Sequence, residues 1–128
     1  MTSVTTAHRG GDWLVADTPA DEIFTPERLS EDHRLVGQTA AEFVANEVLP
    51  ALGALEAKDW SRARALTHRA GELGLLGVDT PEEFGGVGMD KVASIVVGEA
   101  IGAMASFATT FGAQTGLAIM PLLCFGTE

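Results

Sequence analysis

The sequence predicts an all-α fold, about four main helices in an up-down bundle. Apolar residues recur at helical spacing along much of the chain, and no stretch alternates apolar with polar as a half-buried strand does. Helix start and stop residues punctuate that pattern at Thr25-Pro26, Ser30, Gly74 and Asp90. Charge then divides the chain. Residues 1–91 hold sixteen of the eighteen acids and all eight Lys and Arg, whereas Val92–Thr127 carries only Glu99.

Residues 1–24 lack helical periodicity and contain Gly10-Gly11 and Pro19. They read as a poorly ordered N-terminal arm, with Trp13-Leu14-Val15 as an anchor. Thr25-Pro26-Glu27 reads as an N-cap followed by proline at the first helical position. Ser30-Glu31-Asp32 offers a second start, its acids placed at the positive helix end. Val36, Ala40, Phe43, Val44 and Val48 then form an inner face, with Arg34, Glu42 and Glu47 elsewhere. Pro50 is expected to bend or interrupt this helix, with Leu52 and Leu55 continuing its apolar side.

A second helix from about Ser61 presents Ala63, Leu66, Ala70 and Leu73 inward, and Gly74 stops it as a left-handed C′ residue. Leu75-Leu76-Gly77-Val78 follows as a core plug. Thr80-Pro81-Glu82-Glu83 starts a short turn. Phe84-Gly85-Gly86-Val87-Gly88 cannot stay helical, because each glycine costs about 1 kcal/mol in a helix interior. Asp90 caps a third helix from Lys91 to about Gly102. A fourth runs from about Ser106 to Leu123, with Pro121 bending or ending it.

A net charge of −10 with scattered Lys and Arg argues against nucleic acid and against anionic membrane surfaces. The single cysteine, Cys124, rules out an internal disulfide. His8, His33 and His68 form no metal-binding pair, so no metal is expected. The N-terminus has no apolar signal core, and a reducing cytoplasm is the expected compartment.

Val92–Phe125 invites a membrane reading, with Gly98-x-x-x-Gly102 and Gly112-x-x-x-Gly116 as close-packing motifs. Glu99, Thr109, Thr110, Gln114 and Thr115 lower its apolarity, and neither helix is expected to supply the roughly 20 apolar residues of a span. No membrane span is expected. Two such helices exceed what two amphipathic ones can cover. A few hundred Å² of apolar surface left in water forgoes several kcal/mol at about 25 cal/mol per Å², so this surface is expected to face something outside the chain. The chain accordingly looks truncated. Glu99 is expected to be a buried, paired carboxylate rather than a catalytic base. His33 and His68 are expected to be solvated, Cys124 inert in packing, and Thr109, Thr110 and Thr115 bonded to their own helix.

Five segments in order carry a family likeness: Ile23-Phe24-Thr25-Pro26-Glu27, Glu42-Phe43-Val44-x-x-Glu47-Val48-Leu49-Pro50, Glu72-Leu73-Gly74-Leu75-Leu76-Gly77, Pro81-Glu82-Glu83-Phe84-Gly85-Gly86-Val87-Gly88 and Phe125-Gly126-Thr127-Glu128. The sequence resembles the N-terminal helical domain of acyl-CoA dehydrogenases, most closely bacterial members of the very-long-chain type, with residues 25–128 as that domain. The resemblance implies FAD-dependent α,β-dehydrogenation of fatty acyl-CoA thioesters. A carboxylate removes the α proton, the β hydrogen leaves as hydride to FAD, and electrons pass to an electron-transferring flavoprotein. It also implies a homo-oligomeric complete enzyme.

The family's middle β domain, with most flavin contacts, and its C-terminal helical domain, with the catalytic glutamate, are expected to lie outside this chain. The resemblance therefore assigns this chain no catalytic residue and no cofactor on its own; its partners are the remaining domains. By position relative to Met120-Pro121, it makes Thr109, Ala113, Gln114 and Leu117 the substrate-binding candidates. Gly112, Ala113 and Gly116 would leave room for a long acyl chain. The residues alone equally allow Ala113 and Leu117 to be core positions at i, i+4. They also allow a different class of function, a stand-alone non-catalytic helical interaction module.

Overall fold

The computed structural model describes residues 15–19 and 21–127. Gly10-Gly11, Trp13 and Leu14 of the expected arm lie outside the described residues, as does Glu128. Among the described residues the fold is helical, with no strand, and the all-α expectation holds.

A 3-10 turn at Pro26–Arg28 precedes the first long helix, α1, at Glu31–Phe43. Of the two candidate starts, Ser30 is the true cap. Its hydroxyl accepts from the His33 N–H, whereas the Thr25 side chain makes no cap bond. The rod continues through a π-helical segment, Val44–Val48, and a 3-10 turn, Leu49–Ala51, into α2, Leu52–Glu56. Lys58, at φ 62°, turns the chain, and Asp59 caps α3, Trp60–Glu72, by accepting from the Arg62 N–H at 3.0 Å. Gly74, at φ 77°, is the left-handed stop that the sequence predicts.

Short 3-10 turns at Leu75–Gly77 and Glu82–Phe84 shape the glycine-rich connection. Asp90 then caps α4, Lys91–Ile101. The last rod, α5 (Ala105–Gly112), a π segment (Ala113–Ile119) and α6 (Met120–Phe125), is one continuous helix of 21 residues.

Side chains from every rod meet in one core. Ala40, Phe43, Val44 and Val48 face Leu66, Ala70 and Leu75, and Ala93, Val97, Ile101, Phe107 and Phe111 close the cluster. Phe43 and Phe107 stack edge to face, 5.9 Å apart at 62°. Burying each large side chain contributes about 1.5–3 kcal/mol. α1 and α4 touch at Gly37, where a Cβ would stand 2.6 Å from Val96 Cγ1; only glycine permits that approach.

Both π segments have a readable cause. In the first rod the inner positions Val36, Ala40, Val44 and Val48 are spaced by four. In the last, Phe107, Phe111, Thr115, Ile119 and Leu123 are likewise spaced by four, each buried or part-buried. An α-helix of 3.6 residues per turn drifts about 40° over four residues, so such a stripe would wind off the core. A π turn, closed by i→i+5 bonds, is wider and winds the stripe back. A proline follows each segment by two residues, Pro50 after Val48 and Pro121 after Ile119. The carbonyls four residues before these rings, on Asn46 and Leu117, lie inside the widened turns. A ring that would clash with an α-helix is thereby accommodated.

Several expectations are corrected here. Pro121 does not end the fourth helix, which runs from Ala105 to Phe125 rather than from Ser106 to Leu123. By length and composition that helix is long and apolar enough to cross a membrane, contrary to the length expected of it. Glu99 is exposed, not a buried pair, because it falls on the outer face of α4 with Ile95 and Gly98. Cys124 is exposed on α6 rather than packed. His33 is not solvated; its side chain is 13% exposed. His68 stays exposed beside Glu72, and Thr109 and Thr115 bond back to the carbonyls of Ala105 and Phe111, all as expected.

Candidate functional site

The last rod buries one narrow stripe and leaves its remaining circumference bare. Leu117, Leu122 and Phe125 are 79%, 70% and 86% exposed, because among the described residues nothing covers them. The sequence-predicted site residues lie on this bare side. Thr109, at the end of α5, and Ala113, Gln114 and Leu117, in the π segment, are all exposed. Thr109, Ala113 and Leu117 follow one another at four-residue steps, with Gln114 beside them. The core alternative for Ala113 and Leu117 is therefore set aside.

These four residues share an open face, not a closed pocket. Gly112 and Gly116 adjoin them, and a Cβ at either would meet nothing within 4 Å. Thr109 alone also lines a hollow of about 360 Å³ with Lys58, Trp60, Ala63, Ser106 and Thr110.

A larger groove, about 810 Å³, lies where the connection meets α6. Leu76, Thr80, Phe84 and Gly86 line one side, Ile119, Leu122 and Leu123 the other. Sequence reasoning missed it. Its signal was Phe84, an aromatic set among glycines and left 60% exposed. Four backbone bonds hold the connection: Gly86 N–H to Pro81 O, Val87 N–H to Gly77 O, Gly88 N–H to Thr80 O and Met89 N–H to Val78 O, all 2.8–3.1 Å. Gly85 and Gly88 take positive φ, 81° and 71°.

Charged side chains of the other elements pair among themselves. Lys91 donates to Asp79. Partial burial by itself raises the Asp79 pKa, but Lys91 and the Ser94 hydroxyl outweigh it and hold the carboxyl below the usual range. Arg69 on α3 reaches Glu72 at 3.1 Å and Glu47 on the first rod at 3.2 Å. Among the described residues no group of three or more His, Cys, Asp or Glu could hold a metal ion.

Fold and surface together define a helical domain whose last rod leaves an uncharged face uncovered among the described residues. The chain belongs to the acyl-CoA dehydrogenase family: residues 30–128 match the profile of the acyl-CoA dehydrogenase N-terminal domain. It is 36% identical over 120 residues to a probable acyl-CoA dehydrogenase of Bacillus subtilis (strain 168), covering 94% of this chain and 20% of that protein. It is 32% identical over 123 residues to the mitochondrial short-chain specific acyl-CoA dehydrogenase of Rattus norvegicus, covering 95% and 29%. Among solved structures, an acyl-CoA dehydrogenase from Bacillus anthracis complexed with FAD superposes with a TM-score of 0.89 at 44% identity, over 95% of this chain and 21% of that one. The chain thus spans about a fifth to under a third of the relatives it matches.

Proposed function

We propose that this chain is the N-terminal domain of an FAD-dependent dehydrogenase of fatty acyl-CoA thioesters. In that reading it forms one wall of the acyl pocket and scaffolds the rest of the protein, without catalysing the reaction alone. The observation that carries the reading is the uncharged, exposed face of the last rod. There Thr109, Ala113, Gln114 and Leu117 stand beside glycines with open space in front of them. Such a surface is suited to a hydrocarbon chain once other parts of the protein close over it.

The described residues do not fit a flavin dinucleotide by themselves. The larger groove has no Lys, Arg or His in its lining to meet a diphosphate, and the smaller hollow offers only Lys58. FAD, which accepts the hydride when bound, is therefore proposed to be held in the complete enzyme by other parts of it. Transfer to an electron-transferring flavoprotein, homo-oligomer formation and a cytoplasmic location without a membrane span belong to the same proposal.

The test is the substitution Ala113→Phe in the full-length protein. Filling the open wall should lower kcat/KM for long-chain acyl-CoA at least tenfold while sparing a short-chain thioester. An equal effect on both chain lengths, or none, refutes the assignment of this face. If the chain occurs alone as a stable, specific dimer without dehydrogenase activity, the interaction-module reading replaces it.

A further inference from the structure

The N-terminal ends of α1 and α4 meet at one side chain. His33 Nδ1 accepts from the Ser30 backbone N–H at 3.2 Å, and Ser30 Oγ accepts from the His33 N–H at 3.1 Å. On the other edge of the ring, His33 Nε2 lies 2.9 Å from Asp90 Oδ1. That same oxygen accepts from the Ala93 N–H at 3.0 Å and so caps α4. A ring nitrogen that accepts from a backbone N–H carries no proton, so donor accounting places the imidazole hydrogen on Nε2, directed at the carboxylate.

We propose that His33 is a pH-sensitive joint: neutral, it couples the caps of α1 and α4, and protonated, it gives up its half of the α1 capping box while keeping its hold on Asp90. In the cation both ring nitrogens donate. Nδ1–H would then face the Ser30 N–H, donor against donor, and that bond of the reciprocal cap is lost, while Ser30 Oγ still accepts from the His33 N–H. The Nε2–H bond survives, now charge-assisted.

The charged groups around the ring set the balance. From α4 and the connection come Asp90, Lys91 and Asp79, the last two engaged with each other. From its own helix come Glu31, Asp32 and Arg34. The Asp90 carboxyl is held below the usual range, first by the Ala93 N–H and then by His33, and stays ionised where a histidine titrates. Protonation therefore exchanges one bond of the α1 cap for a stronger tie between helices, and α1 can fray at its start without parting from α4.

The test uses the full-length protein with ¹⁵N-labelled histidine, the His33 signal being assigned by its loss in His33→Gln. At neutral pH the ring should be the Nε2–H tautomer. Hydrogen exchange of a peptide spanning Ser30–Arg34 should then quicken several-fold relative to His33→Gln as pH falls through the His33 titration. Glutamine at this position accepts from Ser30 as in a Ser-x-x-Gln capping box and does not titrate. An Nδ1–H tautomer at neutral pH, or an exchange ratio constant through the titration, overturns the proposal. Should His33→Gln fail to fold, Asp90→Asn serves, since it keeps an acceptor for both Nε2 and Ala93. The same loss of α1 protection is expected there, and its absence overturns the proposal equally.

Discussion

Gly86→Ala should damage this domain more than Gly85→Ala, although Gly85 and not Gly86 has the left-handed backbone. A Cβ on Gly86 would stand 2.0 Å from Thr80 O and 2.4 Å from Thr80 Cβ. The carbonyl cannot retreat cheaply, because it accepts from the Gly88 N–H at 2.9 Å, and Gly86 is itself bonded to Pro81 O at 3.1 Å. Relieving the clash would break those two bonds and strain the neighbouring Val87–Gly77 bond. At about 1 kcal/mol each, the loss is roughly 2–3 kcal/mol. Gly85 has open space around its Cβ direction, so alanine there costs only its left-handed conformation, about 1–2 kcal/mol. Thermal unfolding followed by circular dichroism should show a Tm lowered by roughly 10 °C for Gly86→Ala, and by about half that for Gly85→Ala. If Gly86→Ala melts with or above Gly85→Ala, the contact with Thr80 does not control this loop and the reasoning fails.

Phe107→Ala, which removes a fully buried ring stacked on Phe43, should cost about 3–5 kcal/mol in chemical denaturation. The Asp79 carboxyl titrates below its ordinary value of 3.8 in the folded state, so its stabilisation is complete above that value and is lost as pH falls through the lower, folded one. Asp79→Asn should accordingly flatten the acid limb of stability below about pH 4, measured by denaturation at stepped pH. Leu117→Lys with Phe125→Lys should suppress self-association of the isolated domain in light scattering, with helical content unchanged. Persistent association would place the sticky surface elsewhere.

Helix boundaries were legible wherever one residue fixes backbone geometry. Gly74 and Asp90 perform in space the roles read from the string. The π segments were not read, although their signature was present. Val36, Ala40, Val44 and Val48 recur at four, with Phe43 beside them, and a proline follows. Read as ordinary α periodicity, that pattern suggested a bend or interruption at Pro50, where a 3-10 turn does break the α winding, and a bend or end at Pro121, which the helix passes. His33 was misjudged because its ring pairs with Asp90, 57 residues away, and local polarity cannot show a partner at that range. Glu99 was misjudged in the opposite sense. It shares the outer face of α4 with Ile95 and Gly98, so an apolar neighbourhood in sequence did not mean burial. The four candidate residues were legible as one face of a helix; the groove beside Phe84 was not, because its two walls are joined only by the fold.

The widened turn at Ala113–Ile119 also gives the rod a tolerance in chain length. A π turn holds about one residue more than an α turn. Deleting one residue there would restore α winding and leave Met120–Phe125 facing as before, with Leu123 still on the core side. A relative one residue shorter at this point would therefore present the same wall to the larger groove.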